Sequence, residues 1–255
     1  MTDLAGKRVL IVGASSGVGR ATAIAASRAG ARVAVAARRP EPLEQTRLEC
    51  GANAVAWPCD VESEQACRDL VAGVSGLLGG LDGIVYAAGV ARMALVVDTP
   101  ASEWQRIFAT NVTGFGIVFS AAHEALARTG GQVLVLSSVS AARPKQGLVP
   151  YAASKRALEA VVEGLRTERP EISFTLVSIG PTYPTEFGRD FDRNVSAALK
   201  PRWAESGFLA PGEMAIDDVA ARVVECLAAP MRTEHLVLLP RPESRVTSET
   251  GTPTT

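Results

Sequence analysis

Tyr151 and Lys155 stand four residues apart in the run Tyr151-Ala152-Ala153-Ser154-Lys155. On a helix that spacing sets a phenol and an ammonium on one face, so both can enter the same cleft. A phenol of ordinary pKa, about 10, exchanges protons poorly near neutrality, and a neighbouring cation favours its phenolate. Ser138 ends an apolar run upstream of this pair, where its hydroxyl can hydrogen-bond a substrate carbonyl or alcohol. Together the three suit general acid–base work at a substrate oxygen. Each is ordinary alone: a Tyr-x-x-x-Lys pair is common in helices, and serine often ends a strand.

A second cluster supports a cofactor. The run Val9-Leu10-Ile11-Val12 leads directly into Gly13-Ala14-Ser15-Ser16-Gly17-Val18-Gly19, with a helical pattern behind it. Glycines there let the backbone turn sharply and approach a pyrophosphate, whose charge the amides of a helix N-terminus then meet. Gly13, Ser15, Ser16, Gly17, Val18 and Gly19 are therefore candidate dinucleotide-binding residues. About twenty residues on, where an acidic side chain would accept from a ribose 2′-hydroxyl, the chain reads Ala36-Ala37-Arg38-Arg39. Arg38 and Arg39 suit a 2′-phosphate through charge-assisted bonds, which favours NADP(H) over NAD(H).

These residues must be positioned by regular elements, and the pattern supplies them. Short apolar runs at 8–12, 32–36, 54–57, 83–86, 132–136, 173–178 and 235–239 read as strands covered on both faces. Helical stretches at 17–29, 62–78, 101–128, 151–168 and 216–228 alternate with them. That alternation implies an α/β fold: one Rossmann-type doubly wound domain over 1–240, with an about seven-stranded parallel sheet and helices on both faces. An insertion, 182–213, interrupts the rhythm, and a polar tail, 241–255, is expected to be disordered.

Composition narrows the function. The 255 residues carry 26 basic and 27 acidic side chains, a net charge of −1, which leaves no electrostatic footprint for nucleic acid. No apolar run is long enough to cross a membrane. Four cysteines lack metal spacing and two histidines stand apart, so no metal site is expected. The cysteines read as free thiols in a reducing cytoplasm, and the N-terminus lacks the apolar core of a signal peptide. Arg143 and Lys145 read as solvated loop charges.

The chain resembles the short-chain dehydrogenase/reductase family, in its compact single-domain branch. The resemblance rests on V-G-A-S-S-G-V-G at 12–19, C-D-V at 59–61, A-A-G at 87–89, T-N-V-T-G at 110–114, L-S-S-V-S at 136–140 and Y-A-A-S-K at 151–155. It implies a catalytic tetrad of Asn111, Ser138, Tyr151 and Lys155, with Tyr151 as the general acid–base. Lys155 would lower the phenol's pKa and hold the nicotinamide ribose, while Asn111 would keep a relay water. It further implies Asp60 and Val61 at the adenine, Ala88 and Gly89 along the adenosine ribose, and Ile179, Gly180 and Thr185 beside the nicotinamide.

The resemblance also implies an oxidoreductase acting on a small carbonyl or alcohol substrate beneath a mobile lid at 182–213. The lid's five aromatics (Tyr183, Phe187, Phe191, Trp203 and Phe208) suggest an apolar substrate, although plain packing explains them equally. A homodimer or homotetramer is expected through 101–128 and the helix from Tyr151, with Ala121, Ala122 and Ala125 allowing close approach. Relatives commonly have Thr where Val12 stands and Asn-Asn-Ala-Gly where this chain has Tyr86-Ala87-Ala88-Gly89, a change read here as matched packing. The alternatives are a cofactor-binding regulatory or scaffold protein without turnover, and an epimerase or dehydratase of the extended branch.

Overall fold

In the computed structural model the described residues are 2–205 and 212–241. Seven parallel strands form the main sheet: β1 (Arg8–Val12), β2 (Arg32–Ala37), β3 (Ala54–Pro58), β4 (Gly83–Tyr86), β5 (Gln132–Ser138), β6 (Ser173–Ile179) and β9 (His235–Leu238). Their order is β3-β2-β1-β4-β5-β6-β9. From β1 the chain winds first one way to β3 and then the other way to β9. The reversal between β1 and β4 leaves a crevice at the carboxyl ends of those strands, where open α/β sheets bind ligands.

Side chains alternate across the sheet, so each strand feeds two cores. Val9, Ile11, Val33, Val35 and Val177 pack with α1 (Gly17–Arg28), α2 (Pro40–Cys50) and α8 (Ile216–Ala228). Leu10, Val12, Ile84, Tyr86 and Val135 face α3 (Glu64–Leu78), α5 (Gly114–Ala127) and α6 (Val149–Glu168). Burying each such side chain contributes about 1.5–3 kcal/mol, which is why the central strands β1 and β4 read as short apolar runs.

The replacements at Val12 and Tyr86 are a matched pair in space. They are register partners on β1 and β4. The buried Tyr86 phenol donates to the Thr110 carbonyl at 2.6 Å, and its ring meets Phe115 edge-on at 5.3 Å. Gly114 makes room for it, since a Cβ there would lie 2.8 Å from the phenol oxygen and 2.7 Å from Val61.

Three stretches depart from the sequence reading. The helix expected over 101–128 is α4 (Ala101–Phe108), a π-helical turn (Ala109–Thr113) and α5. The insertion holds a short strand, β7 (Thr182–Tyr183), paired with β8 (Met214–Ala215), and a helix, α7 (Arg193–Glu205). The helix α2 was not anticipated, for reasons its composition explains. Ala122 and Ala125 are buried in the core beside Phe119 and Leu126 rather than free to meet a second copy, because helical periodicity turns them inward. Within the expected tail, residues 242–255 lie outside the described residues, as does Phe208 of the insertion.

Candidate functional site

Every site residue named from the sequence falls at the carboxyl edge of the sheet or on a helix that follows it. Gly13 through Gly19 span the turn from β1 into α1, Arg38 and Arg39 follow β2, and Asp60 and Val61 follow β3. Ala88 and Gly89 follow β4, Ser138 ends β5, Gly180 and Thr185 follow β6, Asn111 lies in the π turn, and Tyr151 and Lys155 lie in α6. A π turn inserts one residue into a helix and re-aims what it carries, and such turns recur at functional sites.

The glycine turn is built for close approach. Gly13 sits at φ +88°, and a Cβ there would come within 2.4 Å of the Ala88 backbone nitrogen. Gly17, at φ +56°, opens the other way: a Cβ there would meet nothing within 4 Å. Helix α1 has no side-chain cap and no acidic residue in its first turn, so its first amides and partial positive charge are left for an anion. A cleft of about 370 Å³ opens at this turn, lined by Ser15, Ser16, Gly17, Arg20, Thr185 and Glu186, among others. These features fit the pyrophosphate of a dinucleotide.

The two arginines after β2 diverge. Arg38 is exposed, whereas Arg39 turns to the cleft, donating to Ser15 Oγ at 3.3 Å and to Glu186 at 2.9 Å. Glu186 also accepts from Arg189 at 2.6 Å. Sequence reasoning missed Glu186, although it directly follows the singled-out Thr185. Asp60 is exposed, one of its oxygens accepting from the Glu62 amide, while Val61 is buried.

The catalytic candidates converge at the other end of the crevice. Against the expectation that Lys155 would lower it, burial pushes the Tyr151 phenol up to about 12, and the group that works the other way is its hydrogen-bond partner Ser138. Burial also drives Lys155 down to about 8, with Glu159 opposing that fall. The Lys155 ammonium donates to the Leu136 carbonyl at 2.8 Å and lies 5.9 Å from the Tyr151 ring centre. Asn111 is fully buried: its amide donates to Val90 O (3.0 Å) and Ser154 Oγ (2.9 Å), and its oxygen accepts from the Val90 amide at 2.8 Å. Gly89 stands beside both, since a Cβ there would lie 3.4 Å from Lys155 Nζ and 3.5 Å from Asn111 Oδ1. The phenol therefore stays protonated through neutral pH, beside a hydroxyl and above a buried ammonium. That arrangement can give a proton to an oxygen.

The described aromatics of the insertion divide. Phe187 meets Tyr151 at 5.0 Å and Phe191 at 5.3 Å between ring centres, which places it over the phenol. Trp203 instead packs inward with Met93, Leu148 and Leu199, its indole donating to Gln146 O at 2.8 Å. Lys145, expected to be solvated, is half-buried with its ammonium 5.1 Å from the Trp203 ring centre. No group of metal-ligating side chains occurs among the described residues, and no described helix is long and apolar enough to cross a membrane.

A family profile described as short chain dehydrogenase matches residues 7–195. The 2,3-dihydro-2,3-dihydroxybenzoate dehydrogenase of Bacillus subtilis is 32% identical over 183 residues, covering 69% of this chain and 70% of that protein. Glycine betaine reductase ATRR of Emericella nidulans is 32% identical over 243 residues, 92% of this chain; the chain spans 18% of that protein's length. Among solved structures, an alcohol dehydrogenase from the archaeon Thermococcus sibiricus complexed with 5-hydroxy-NADP superposes with a TM-score of 0.80 at 27% identity. That match covers 93% of this chain and 99% of the other.

Proposed function

The chain belongs to the short chain dehydrogenase family, and on that premise we propose an NADP(H)-dependent oxidoreductase that interconverts a carbonyl and a secondary alcohol on a small, apolar substrate. The observation that carries the reading is the buried Tyr151 phenol, kept protonated beside Ser138 and over the Lys155 ammonium. In reduction Tyr151 gives its proton to the carbonyl oxygen and becomes the phenolate, and in the reverse direction that phenolate takes the proton back from the alcohol. Ser138 holds the same oxygen in place. Lys155 holds the nicotinamide ribose and steadies the charge that develops on the phenol. Asn111 keeps a water that links Lys155 to solvent. A bound nicotinamide supplies the hydride.

For that cofactor, Gly13 to Gly19 hold the pyrophosphate, Asp60 and Val61 the adenine, Ala88 and Gly89 the adenosine ribose, and Gly180 and Thr185 border the nicotinamide. Two observations support the 2′-phosphate form. Arg39 turns into the cleft with Arg38 beside it in the chain, and the Thermococcus sibiricus enzyme was solved with an NADP derivative. Phe187 over Tyr151 supports an apolar, ring-containing substrate. The free thiols suit a reducing cytoplasm, and a homodimer or homotetramer is proposed through the outer faces of α5 and α6, checked by light scattering.

Turnover tests the reading. NADPH is offered with ring-containing ketones and, separately, with small polar sugars, using wild type and Tyr151→Phe. Oxidation of NADPH by the ketones, lost in Tyr151→Phe, is the expected result. Preference for the sugars overturns the substrate class, and no oxidation with any carbonyl overturns the enzyme.

A further inference from the structure

Among the described residues, one buried charged side chain has no part in the chemistry above. Glu159 lies on α6 one turn beyond Lys155 and two beyond Tyr151, so the three share a helix face. It is only 3% exposed. Its Oε1 accepts from Ser137 Oγ at 2.6 Å and from Ser178 Oγ at 3.3 Å, and its Oε2 accepts from Arg156 at 3.1 Å. Ser178 Oγ in turn lies 2.8 Å from His235 Nε2 on the edge strand. A chain of polar groups therefore crosses β9, β6 and β5 and ends on α6 at Glu159, one turn beyond Lys155.

An apolar side chain of similar volume would pack at this position at less cost, because a buried carboxylate loses its hydration and recovers it only through ideal partners. The partners present are informative. Ser137 adjoins Ser138, so the 2.6 Å bond ties the reactive end of β5 to α6. The one cation in direct contact, Arg156, has a side chain 65% exposed and screened by solvent. The buried cation on the same helix face is Lys155.

We propose that Glu159 is a positioning residue of the reaction, supplying a fixed negative charge that balances the Lys155 ammonium and a tether that holds the Ser137–Ser138 strand end against α6. This rests on the oxidoreductase reading for its purpose, but its physical content concerns the free protein. Among the described residues, the groups placed against Lys155 are Tyr151, its ring centre 5.9 Å from the ammonium, and Glu159, while Arg156 and, through Ser178, His235 on β9 face Glu159. Asn111 and Ser138, from the π turn and β5, are neutral. Burial drives Lys155 toward its neutral form and Glu159 acts against that. Removing the carboxylate's charge leaves burial unopposed.

The test reads the Lys155 proton directly in the cofactor-free chain. The sequence holds four lysines, at 7, 145, 155 and 200, so ¹³Cε-lysine labelling gives a spectrum that Lys155→Arg assigns. In wild type the Lys155 resonance is expected to titrate with a midpoint of about 8. In Glu159→Gln, which keeps hydrogen bonds to the serines but no charge, the midpoint falls by about one pH unit. In Glu159→Asp it stays near the wild-type value. Where Glu159→Gln does not fold, Glu159→Met, an apolar replacement of similar volume, carries the same expectation as Gln. In an active preparation the alkaline limb of turnover moves down by the same amount. A Lys155 midpoint unchanged in the charge-free variant, with only Tm lowered, overturns the proposal and leaves Glu159 a structural carboxylate. Because this titration needs no turnover, it stands or falls apart from the enzyme assay.

Discussion

The Arg39 guanidinium lies 2.9 Å from Glu186 and 3.3 Å from the Ser15 hydroxyl, so one side chain joins the end of β2, the glycine turn and the segment after β7. Glu186 thus occupies Arg39 with a carboxylate where a 2′-phosphate is proposed to bind. A dianionic phosphate bound there would compete for that guanidinium, and the segment after β7 would then lose its hold on Arg39. Glu186→Gln is expected to tighten NADPH about two- to fivefold, the scale of an exposed ion pair, while leaving NADH unchanged. Calorimetric titration of the variant with each cofactor checks this, and an equal change for both would place Glu186 away from the 2′-phosphate.

Tyr151→Phe removes the proton and leaves the ring. Turnover is expected to fall about 10²- to 10⁴-fold with cofactor affinity unchanged. The pH dependence follows from the two displaced groups. With the phenol pushed up to about 12 and Lys155 brought down to about 8, the phenol keeps its proton throughout neutrality. The lysine loses its charge first as pH rises. Carbonyl reduction should therefore hold level through neutral pH and decline above about 8, as measured by initial rates across a buffered series. A decline that begins below pH 6 would contradict this assignment.

Gly13 and Gly17 should separate packing from binding. Gly13→Ala drives a Cβ into the Ala88 backbone at a positive φ, and is expected to cost about 2–4 kcal/mol in denaturant unfolding. Gly17→Ala meets no protein atom, so it should cost about 1 kcal/mol from its φ alone and be felt chiefly as weaker cofactor binding. Equal loss of stability in both would contradict the open side of the turn.

Phe187 is exposed over part of its surface yet rests against Tyr151. Phe187→Ala is expected to raise KM for ring-containing ketones with a smaller change in kcat, because it removes a wall rather than a reacting group. A fall in kcat at constant KM would make Phe187 a group that positions the Tyr151 phenol rather than a wall for substrate.

Most of the fold was legible because the central strands β1 and β4 are buried on both faces and therefore read as short apolar runs. The strands 8–12 and 83–86 agree with expectation to the residue. Helix α2 escaped because it buries only Leu43, Thr46 and Cys50 and shows no apolar stripe, although Pro40 and Glu41 mark its start. The π turn escaped because inserting a residue into a helix leaves no gap in the apolar pattern of 101–128. In the site, Tyr151, Lys155 and Ser138 were legible from spacing. Glu186 and Glu159 were not: an acidic residue on a loop or an amphipathic helix reads as solvated, and only the tertiary structure brings Arg39 to one and Ser137 to the other. For the same reason Ala122 and Ala125 read as outward-facing and are not.

The most direct test of an NADP(H) enzyme is calorimetric titration of the purified chain with NADPH and with NADH, for wild type and for Arg38→Ala/Arg39→Ala. NADPH is expected to bind about tenfold or more tighter than NADH, with the preference collapsing in the double variant. Equal affinities in wild type, or a preference that survives loss of both arginines, would contradict the account.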